Sequence, residues 1–134
     1  MSSLFVYGTL MCADVAEAVL GRKMTAESAR LNGYRRYRLA GKSYPAVAVS
    51  PKDSVDGYLW RGLSEREIEA LDTFEGDPYD RRRVSVQLLS SDAEETAADV
   101  YVICEGYRHL LQDAPWIREE FEKNDKAAFL REFL

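Results

Sequence analysis

The stretch that organises the chain reads Leu4-Phe5-Val6-Tyr7-Gly8-Thr9-Leu10. Its first four residues form a short apolar and aromatic run, which is typical of a buried strand. Gly8 then ends the run, and a glycine lets a ligand approach the main chain closely. Because an amphipathic segment follows at residues 13–20, backbone N–H groups remain free at the loop and at a helix start. Such groups suit an anion or a developing oxyanion, although an ordinary turn after a first core strand explains the same residues.

The length and the charge of the chain limit the classes of protein to which it can belong. With 134 residues we expect one domain, residues 1–134, that buries its own hydrophobic core. Apolar residues make up 46% and charged residues 31%, as in ordinary soluble proteins. The formal net charge of -5 argues against a nucleic-acid partner, because binding phosphates needs clustered positive charge. We also expect no membrane contact, since no apolar run approaches the roughly 20 residues of a membrane span.

The two cysteines and the single histidine limit the kinds of metal or catalytic site that the chain can form. Cys12 and Cys104 have no metal-type spacing, and two free thiols in a reducing cytoplasm are a simpler interpretation than a disulfide. The chain begins at once with a strand and carries no signal-peptide pattern, so we expect a cytoplasmic protein. The single histidine, His109, cannot form a two-histidine zinc site and is predicted at the surface. We expect no metal and no cofactor, which leaves carboxylates and tyrosines as candidates.

Turn chemistry divides the rest of the chain. Asn32-Gly33 is a hairpin signal, but one long strand bent at Gly33 also fits. The nearby Arg35, Arg36 and Arg38 are interpreted as a solvated strand edge. The other predicted elements are a helix at 13–20, strands at 44–49 and 55–63 around a turn at 51–54, a helix at 64–73, strands at 79–89 and 96–104 in an antiparallel pair, a helix start at Pro115, and a helical tail to residue 134.

Glu75 is the carboxylate with the most unusual surroundings. The best-marked helix starts at Ser64, which forms an S-x-x-E capping box with Glu67, and stops at Gly76. Glu75 therefore lies at the helix C-terminus, where the macrodipole disfavours negative charge. Partial desolvation by Phe74 would raise its pKa, as a general base and acid near neutral pH requires. On spacing alone, a plain solvated carboxylate is the alternative.

Several short motifs follow one another in a defined order. They are Tyr7-Gly8-Thr9-Leu10, Tyr44-Pro45-Ala46, Val55-Asp56-Gly57, Leu71-Asp72, Phe74-Glu75-Gly76 and Tyr79-Asp80-Arg81. Together they resemble the gamma-glutamylcyclotransferase-like family, which includes the plant avirulence-induced proteins. The first corresponds to the family's "YGSL" and the last three to "LD-x-F-E…Y-x-R". Thr9 stands where serine is common, and Asp77-Pro78 separates the glutamate from the tyrosine. The tail around residues 116–121 is similar to the plant-type branch.

The resemblance implies an α+β fold, a small mixed β-barrel flanked by helices, with one long strand through Asn32-Gly33. It places the first loop and Glu75 at one pocket. It also implies a reaction, because these enzymes release 5-oxoproline from gamma-glutamyl compounds. The substrate's own α-amine attacks its γ-carbonyl, so no protein nucleophile is needed, and Glu75 would serve as general base and acid.

The resemblance assigns further residues to substrate binding. The N–H groups of Gly8, Thr9 and Leu10 would hold either the oxyanion or the substrate α-carboxylate. Tyr7 and Tyr79 would shape the pocket and hydrogen-bond the substrate. By contrast, Arg81 is expected to form a structural ion pair, and Tyr44, Tyr58 and the tail are expected to build the specificity walls.

A second function class stays open, namely a non-catalytic module that binds a small molecule on the same scaffold. A Glu75 that points to solvent, or a pocket filled by Trp116 or Tyr101, would favour this class. The motif's glutamate favours the enzyme. The sequence defines neither the leaving group nor the oligomeric state.

Overall fold

The structure, a computed structural model, describes residues 1–90 and 94–133. Its strands are β1 (Ser2–Val6), β2 (Glu27–Leu39), β3 (Pro45–Leu63), β4 (Tyr79–Leu88), β5 (Glu95–Ile103) and the short β6 (Leu111–Gln112). Its helices are α1 (Ala13–Leu20), α2 (Glu65–Glu75), α3 (Arg118–Glu120) and α4 (Lys126–Phe133), and a π-helical turn at Phe121–Asp125 joins α3 to α4 without a break. We call residues 118–133 the tail helix. Single 3₁₀ segments lie at Thr9–Met11 and Glu105–Leu110.

Five strands close into a mixed barrel. Strand β1 pairs with β3, β3 with β2, β2 with β4, and β4 with β5, all antiparallel. The parallel pairing of β5 with β1, at Leu4 and Asp99, completes the ring. The predicted small mixed barrel flanked by helices is therefore confirmed. The predicted antiparallel pair of the fourth and fifth strands is also present.

Strand β1 is apolar on both faces because both faces are covered. Phe5 and Tyr7 belong to the cluster inside the barrel, with Leu31, Val55 and Val100. The alternate residues of β1 pack outward against the helices, since side chains in a strand alternate between faces. This two-sided burial explains why the opening run is continuous rather than alternating.

The long strands β2 and β3 settle two turn predictions. The hairpin interpretation of Asn32-Gly33 is wrong, because β2 runs unbroken from residue 27 to residue 39. The prediction that a turn at 51–54 separates two strands is also wrong, because β3 continues through these residues. Asn32 pairs with Ser54, but Tyr34 pairs with Val49, so residues 50–53 bulge out opposite Gly33. The turn residues therefore make a bulge inside one strand.

Gly57 lies where two strands meet most closely. A Cβ atom at this position would collide with the Val6 carbonyl oxygen and would lie 2.9 Å from Cζ of Phe5. The glycine therefore allows β3 to pass over the end of β1, directly before the first loop.

The tail differs from the prediction at its start. Helix α3 begins at Arg118, so the placement of Pro115 in a first helical turn is wrong. Trp116 is instead anchored in the core at 5% exposure, and its indole N–H donates to the Ser43 carbonyl at 2.7 Å. This anchor keeps the chain extended before the helix. The last predicted tail residue, Leu134, lies outside the described residues.

Other sequence expectations concern single residues. His109 is exposed, as predicted. Cys12 and Cys104 are both free, the first buried and the second partly so. Of the helices in the described part of the chain, none combines the length and the apolar character needed to span a bilayer.

Candidate active site

A pocket opens at one end of the barrel, between the end of β1, the end of α2 and the last turns of the tail helix. Its lining combines the first loop, Glu75 and a ring of aromatic side chains. The lining residues are Phe5, Val6, Tyr7, Gly8, Thr9, Leu10, Tyr44, Pro45, Phe74, Glu75, Tyr79, Tyr101, Phe129 and Phe133. The structure thus brings together all six residues that the sequence nominated for the site.

Glu75 is positioned by the way α2 ends. The helix begins with the predicted capping box at Ser64 and Glu67 and closes at Glu75. Gly76 follows with φ of 74°, a left-handed value that favours glycine, and its N–H donates to the Asp72 carbonyl at 3.0 Å. The chain then turns back, and the last helical side chain is left at the pocket.

The Glu75 carboxyl is desolvated without compensation. The residue as a whole is partly exposed, but its carboxyl group lies deep among protein atoms. Among the described residues, none donates a hydrogen bond to it. Burial therefore raises the pKa of Glu75 to about 8. The predicted elevation of this pKa is present, with desolvation as its cause.

Four tyrosines surround the Glu75 carboxyl. Burial raises the pKa of each of them, and the charge of Glu75 adds to each increase. They are Tyr7, Tyr44, Tyr79 and Tyr101. All four therefore remain neutral phenols at physiological pH.

The hydroxyl groups of the predicted substrate-binding tyrosines are already oriented. Tyr7 donates to the carbonyl of Tyr101 at 2.7 Å, and Tyr79 donates to the carbonyl of Pro45 at 2.6 Å. Each hydroxyl proton is thus engaged, and each oxygen keeps lone pairs that can accept a hydrogen bond. An ammonium group is the natural partner for such oxygens.

The first loop supplies hydrogen-bond donors. Gly8 lies against the ring of Pro45, to which a Cβ atom would approach within 2.9 Å. The Gly8 carbonyl accepts from the N–H of Met11 at 2.9 Å and so starts a 3₁₀ turn. The N–H groups of Thr9 and Leu10 donate to no other described residue. Both residues line the pocket, so the pocket wall includes two residues whose main-chain N–H groups have no described acceptor.

Arg36 supports this loop, and the sequence analysis missed it. Its assignment to a solvated strand edge is wrong. Its Nη1 donates to the Tyr7 carbonyl at 2.8 Å, its guanidinium lies 5.2 Å from the Trp116 ring centroid, and burial lowers its pKa. The Tyr7 carbonyl and the Gly8 N–H share one peptide group, so the guanidinium polarises the peptide that opens the loop. The contact links β2 to β1 across 29 positions, and no local pattern indicates it.

Arg81 fixes the end of α2. Its Nε lies 2.9 Å from Asp72, and its Nη1 lies 3.0 Å from the buried Asp99. The predicted structural ion pair is therefore present. Asp72 also accepts from the Tyr101 hydroxyl at 2.7 Å, so β4 and β5 together hold the helix turn that carries Glu75.

The pocket walls agree in part with the prediction. Tyr44 and the tail line the pocket, but the assignment of Tyr58 is wrong, because its hydroxyl accepts from Arg118 at 3.0 Å away from the site. Trp116 lies outside the lining. Tyr101 lines the pocket, but Asp72 holds its hydroxyl. Glu75 therefore lines the pocket instead of pointing to solvent, and Trp116 does not fill the pocket. Neither residue meets its condition for a non-catalytic binding module.

The family model described as "Gamma-glutamyl cyclotransferase, AIG2-like" matches residues 4–119. The chain belongs to this family. The predicted resemblance is confirmed, and membership of the AIG2-like gamma-glutamyl cyclotransferase family supports a cyclotransferase-type function. The matched residues include the first loop and Glu75, whereas α4 lies beyond them.

Comparisons with a single relative and with solved structures point the same way. AIG2-like protein C of Arabidopsis thaliana is 33% identical over 132 residues, which cover 95% of this chain and 73% of that protein. A solution structure of another Arabidopsis thaliana protein has a TM-score of 0.75 at 30% identity, covering 98% of this chain and 87% of that one. A structure named gamma-glutamyl cyclotransferase shares the fold, with a TM-score of 0.64 at 19% identity over 77% of this chain and 66% of that one.

Proposed function

We propose that this AIG2-like protein is a cyclotransferase that releases 5-oxoproline from a gamma-glutamyl compound, with Glu75 as general base and acid. The observation that carries the proposal is the desolvated Glu75 carboxyl, which lines one pocket with the free N–H groups of the first loop. A carboxyl group with a pKa of about 8 can exchange a proton with an amine near neutral pH.

The first step is ring closure. The Glu75 carboxylate takes a proton from the substrate α-ammonium, and the amine nitrogen then attacks the γ-carbonyl carbon. A new C–N bond forms, and the carbonyl oxygen becomes an oxyanion. Since nucleophile and electrophile belong to one molecule, the pocket needs only to hold the chain folded in attacking geometry.

The second step is release. The oxyanion collapses to a carbonyl, the bond to the leaving nitrogen breaks, and protonated Glu75 returns its proton to that nitrogen. The Glu75 carboxylate then takes the second proton from the positively charged ring nitrogen and passes it to the freed amine, so the products are 5-oxoproline and an ammonium ion. The enzyme regains its starting charge, and neither water nor another reactant is consumed.

The first loop and two tyrosines bind the substrate in this proposal. The N–H groups of Thr9 and Leu10, with the polarised Gly8 peptide, hold either the oxyanion or the α-carboxylate. The hydroxyl oxygens of Tyr7 and Tyr79 accept hydrogen bonds from the α-ammonium. The ammonium is thereby kept beside Glu75, to which it must give its proton.

The test is release of 5-oxoproline from a panel of gamma-glutamyl amines and amino acids, with wild type and Glu75→Gln in parallel. Glutamine keeps the size and polarity of the side chain but cannot take up the proton. We expect the variant to lose ~10²–10⁴ in kcat, because general acid–base catalysis typically contributes that much. Glu69→Gln, an exposed change on the same helix, is the matched control and should retain the wild-type rate.

Binding measurements separate the two function classes. A ligand that binds the folded protein raises its Tm whether or not it reacts. Glu75→Gln should still show this rise with the compound that wild type turns over. A Tm rise with no 5-oxoproline release from any panel member would instead identify a binding module, and an active Glu75→Gln would refute the role given to Glu75.

A further inference from the structure

The outer wall of the pocket is aromatic and comes from the tail helix. Phe133 lies 5.9 Å from Tyr44 and 4.8 Å from Phe129, measured between ring centroids. Phe129 is only 4% exposed, whereas Phe133 is 42% exposed. Both lie beyond residue 119, where the match to the family model ends.

The charge of the pocket is one-sided. Among the described residues that line it, none is lysine, arginine or histidine, and Glu75 is the one with a carboxyl group. Glu132 adds a second negative charge near the mouth, because it contributes, after burial, to the raised pKa of Tyr44. An anionic group held inside this pocket would lose water and gain no cation from the lining residues, which is strongly unfavourable. Arg38 and Lys42 line the neighbouring depression instead, which shares Tyr44 and Phe133.

The proposed reaction already occupies the available donors. The glutamyl part of the substrate carries one carboxylate and develops one oxyanion, and the loop N–H groups serve these. The leaving group lies farther out, against the rings. A carboxylate on the leaving amine would therefore find neither a cation nor an unused N–H donor among the residues that line the described pocket.

We propose that the pocket selects gamma-glutamyl amides of uncharged, apolar and above all aromatic amines, and that Phe133 sets this preference. The inference rests on the proposed cyclotransferase function. Phe129 is a core residue that packs on Phe74 and Phe121, at centroid distances of 6.0 and 5.5 Å. Phe133 instead keeps a large exposed surface, which an apolar leaving group would cover and so remove from water.

Three substrates test separately the effect of an aromatic ring and the effect of a carboxylate on the leaving amine. Gamma-glutamyl phenethylamide and gamma-glutamyl phenylalanine differ by one carboxylate, and gamma-glutamyl ethylamide lacks the ring. We expect kcat/KM for the phenethylamide to exceed both others by about tenfold or more, as for contacts in a hydrophobic pocket. The 5-oxoproline assay reports all three in the same way.

Two variants at one position test the assignment to Phe133. Phe133→Ala should lower kcat/KM for the phenethylamide about tenfold and change the ethylamide less than about twofold. Phe133→Arg supplies the missing cation and should favour the phenylalanine compound over the phenethylamide. Leu89→Ala is the matched control, because Leu89 is exposed to 41% and lies outside the pocket lining.

The outcomes separate the inference from the function on which it rests. No 5-oxoproline from the three compounds or from any other panel member, together with no Tm rise in Glu75→Gln, would refute both. Turnover that favours the phenylalanine compound, or that Phe133→Ala lowers equally for all three, would overturn the inference and leave the cyclotransferase intact. A Tm measurement on each variant shows whether it is folded, and Phe133→Leu replaces any variant that is not.

Discussion

Two glutamates on one helix, eight positions apart, have opposite electrostatic surroundings. At the start of α2, Glu67 accepts from Nε of Arg22 at 2.6 Å and from the Ser64 N–H at 3.0 Å. These hydrogen bonds lower its pKa to about 2. At the end of α2, Glu75 accepts from no described residue, and burial raises its pKa to about 8.

The comparison teaches which physical effect separates a structural carboxylate from a reactive one. The helix dipole acts in the right direction at both ends, but it contributes only ~0.3–1 kcal/mol at such positions. Hydrogen-bond donors and access to solvent account for the rest of the difference in pKa between Glu67 and Glu75. A carboxylate that is supplied with donors keeps its charge, whereas one without donors in a buried pocket holds a proton that it can exchange.

The largest expected effect comes from replacing Glu75, because ionising its buried carboxyl group costs free energy. Glu75 holds its proton more tightly in the folded protein than in the unfolded chain. Its contribution to stability therefore falls as pH rises from 4.5 to about 8. Relative to wild type, Glu75→Gln should gain on the order of 4 kcal/mol in free energy of unfolding across that range. Denaturant titrations at several pH values measure it, and a constant difference would contradict the desolvation of Glu75.

The next effect concerns catalysis. In the free enzyme Glu75 must lose its proton before it can act as a base, so kcat/KM should fall about tenfold per pH unit below the pKa of about 8. At pH 6 the value should be roughly 100-fold below its plateau. A pH profile with the best panel substrate measures this. An acidic limb near pH 4.5 would mean that Glu75 is an ordinary carboxylate and that the comparison with Glu67 fails.

The smallest effect is at the other end of the helix. Glu67→Gln weakens the contact with Arg22 and the capping box, and should cost about 1 kcal/mol of stability at pH 7 with kcat unchanged. Because the pKa of Glu67 is lowered, this loss should disappear as pH falls from 4.5 towards about 2. Thermal unfolding measures the loss, with Glu69→Gln as the control. A change in kcat would show that the two ends of α2 are coupled.

The sequence predicted most of the features that local chemistry determines. The capping box at Ser64, the stop at Gly76 and the strand alternation of β4 each depend on neighbouring residues, and the structure contains all of them. The helix end and the aromatic neighbours of Glu75 indicated a raised pKa but left a plain solvated carboxylate as the alternative, and the structure shows the raised pKa. The barrel itself came from the resemblance, since closure depends on the pairing of β1 with β5.

The remaining features depend on contacts between distant parts of the chain. Arg36 reaches the Tyr7 carbonyl across 29 positions, and the indole of Trp116 reaches Ser43 across 73. The residues at 51–54 have ordinary turn chemistry, but the pairing of Ser54 and Val49 with β2 turns residues 50–53 into a bulge. Tyr58 directly follows the motif Val55-Asp56-Gly57, and Phe133 lies near no motif, but Phe133 lines the pocket and Tyr58 does not. The sequence alone could not decide between them.

The ring of strands has a consequence for the nascent chain. Strand β1 leaves the ribosome before its partners, which lie at residues 58–63 of β3 and at Asp99 of β5. One edge thus stays unpaired until residue 63 has been made and the other until residue 99, and unpaired edges recruit other strands. Folding must wait for these distant pairings, which is typical of slow folding. Cells that make the protein rapidly should therefore need chaperones more during its synthesis than after release.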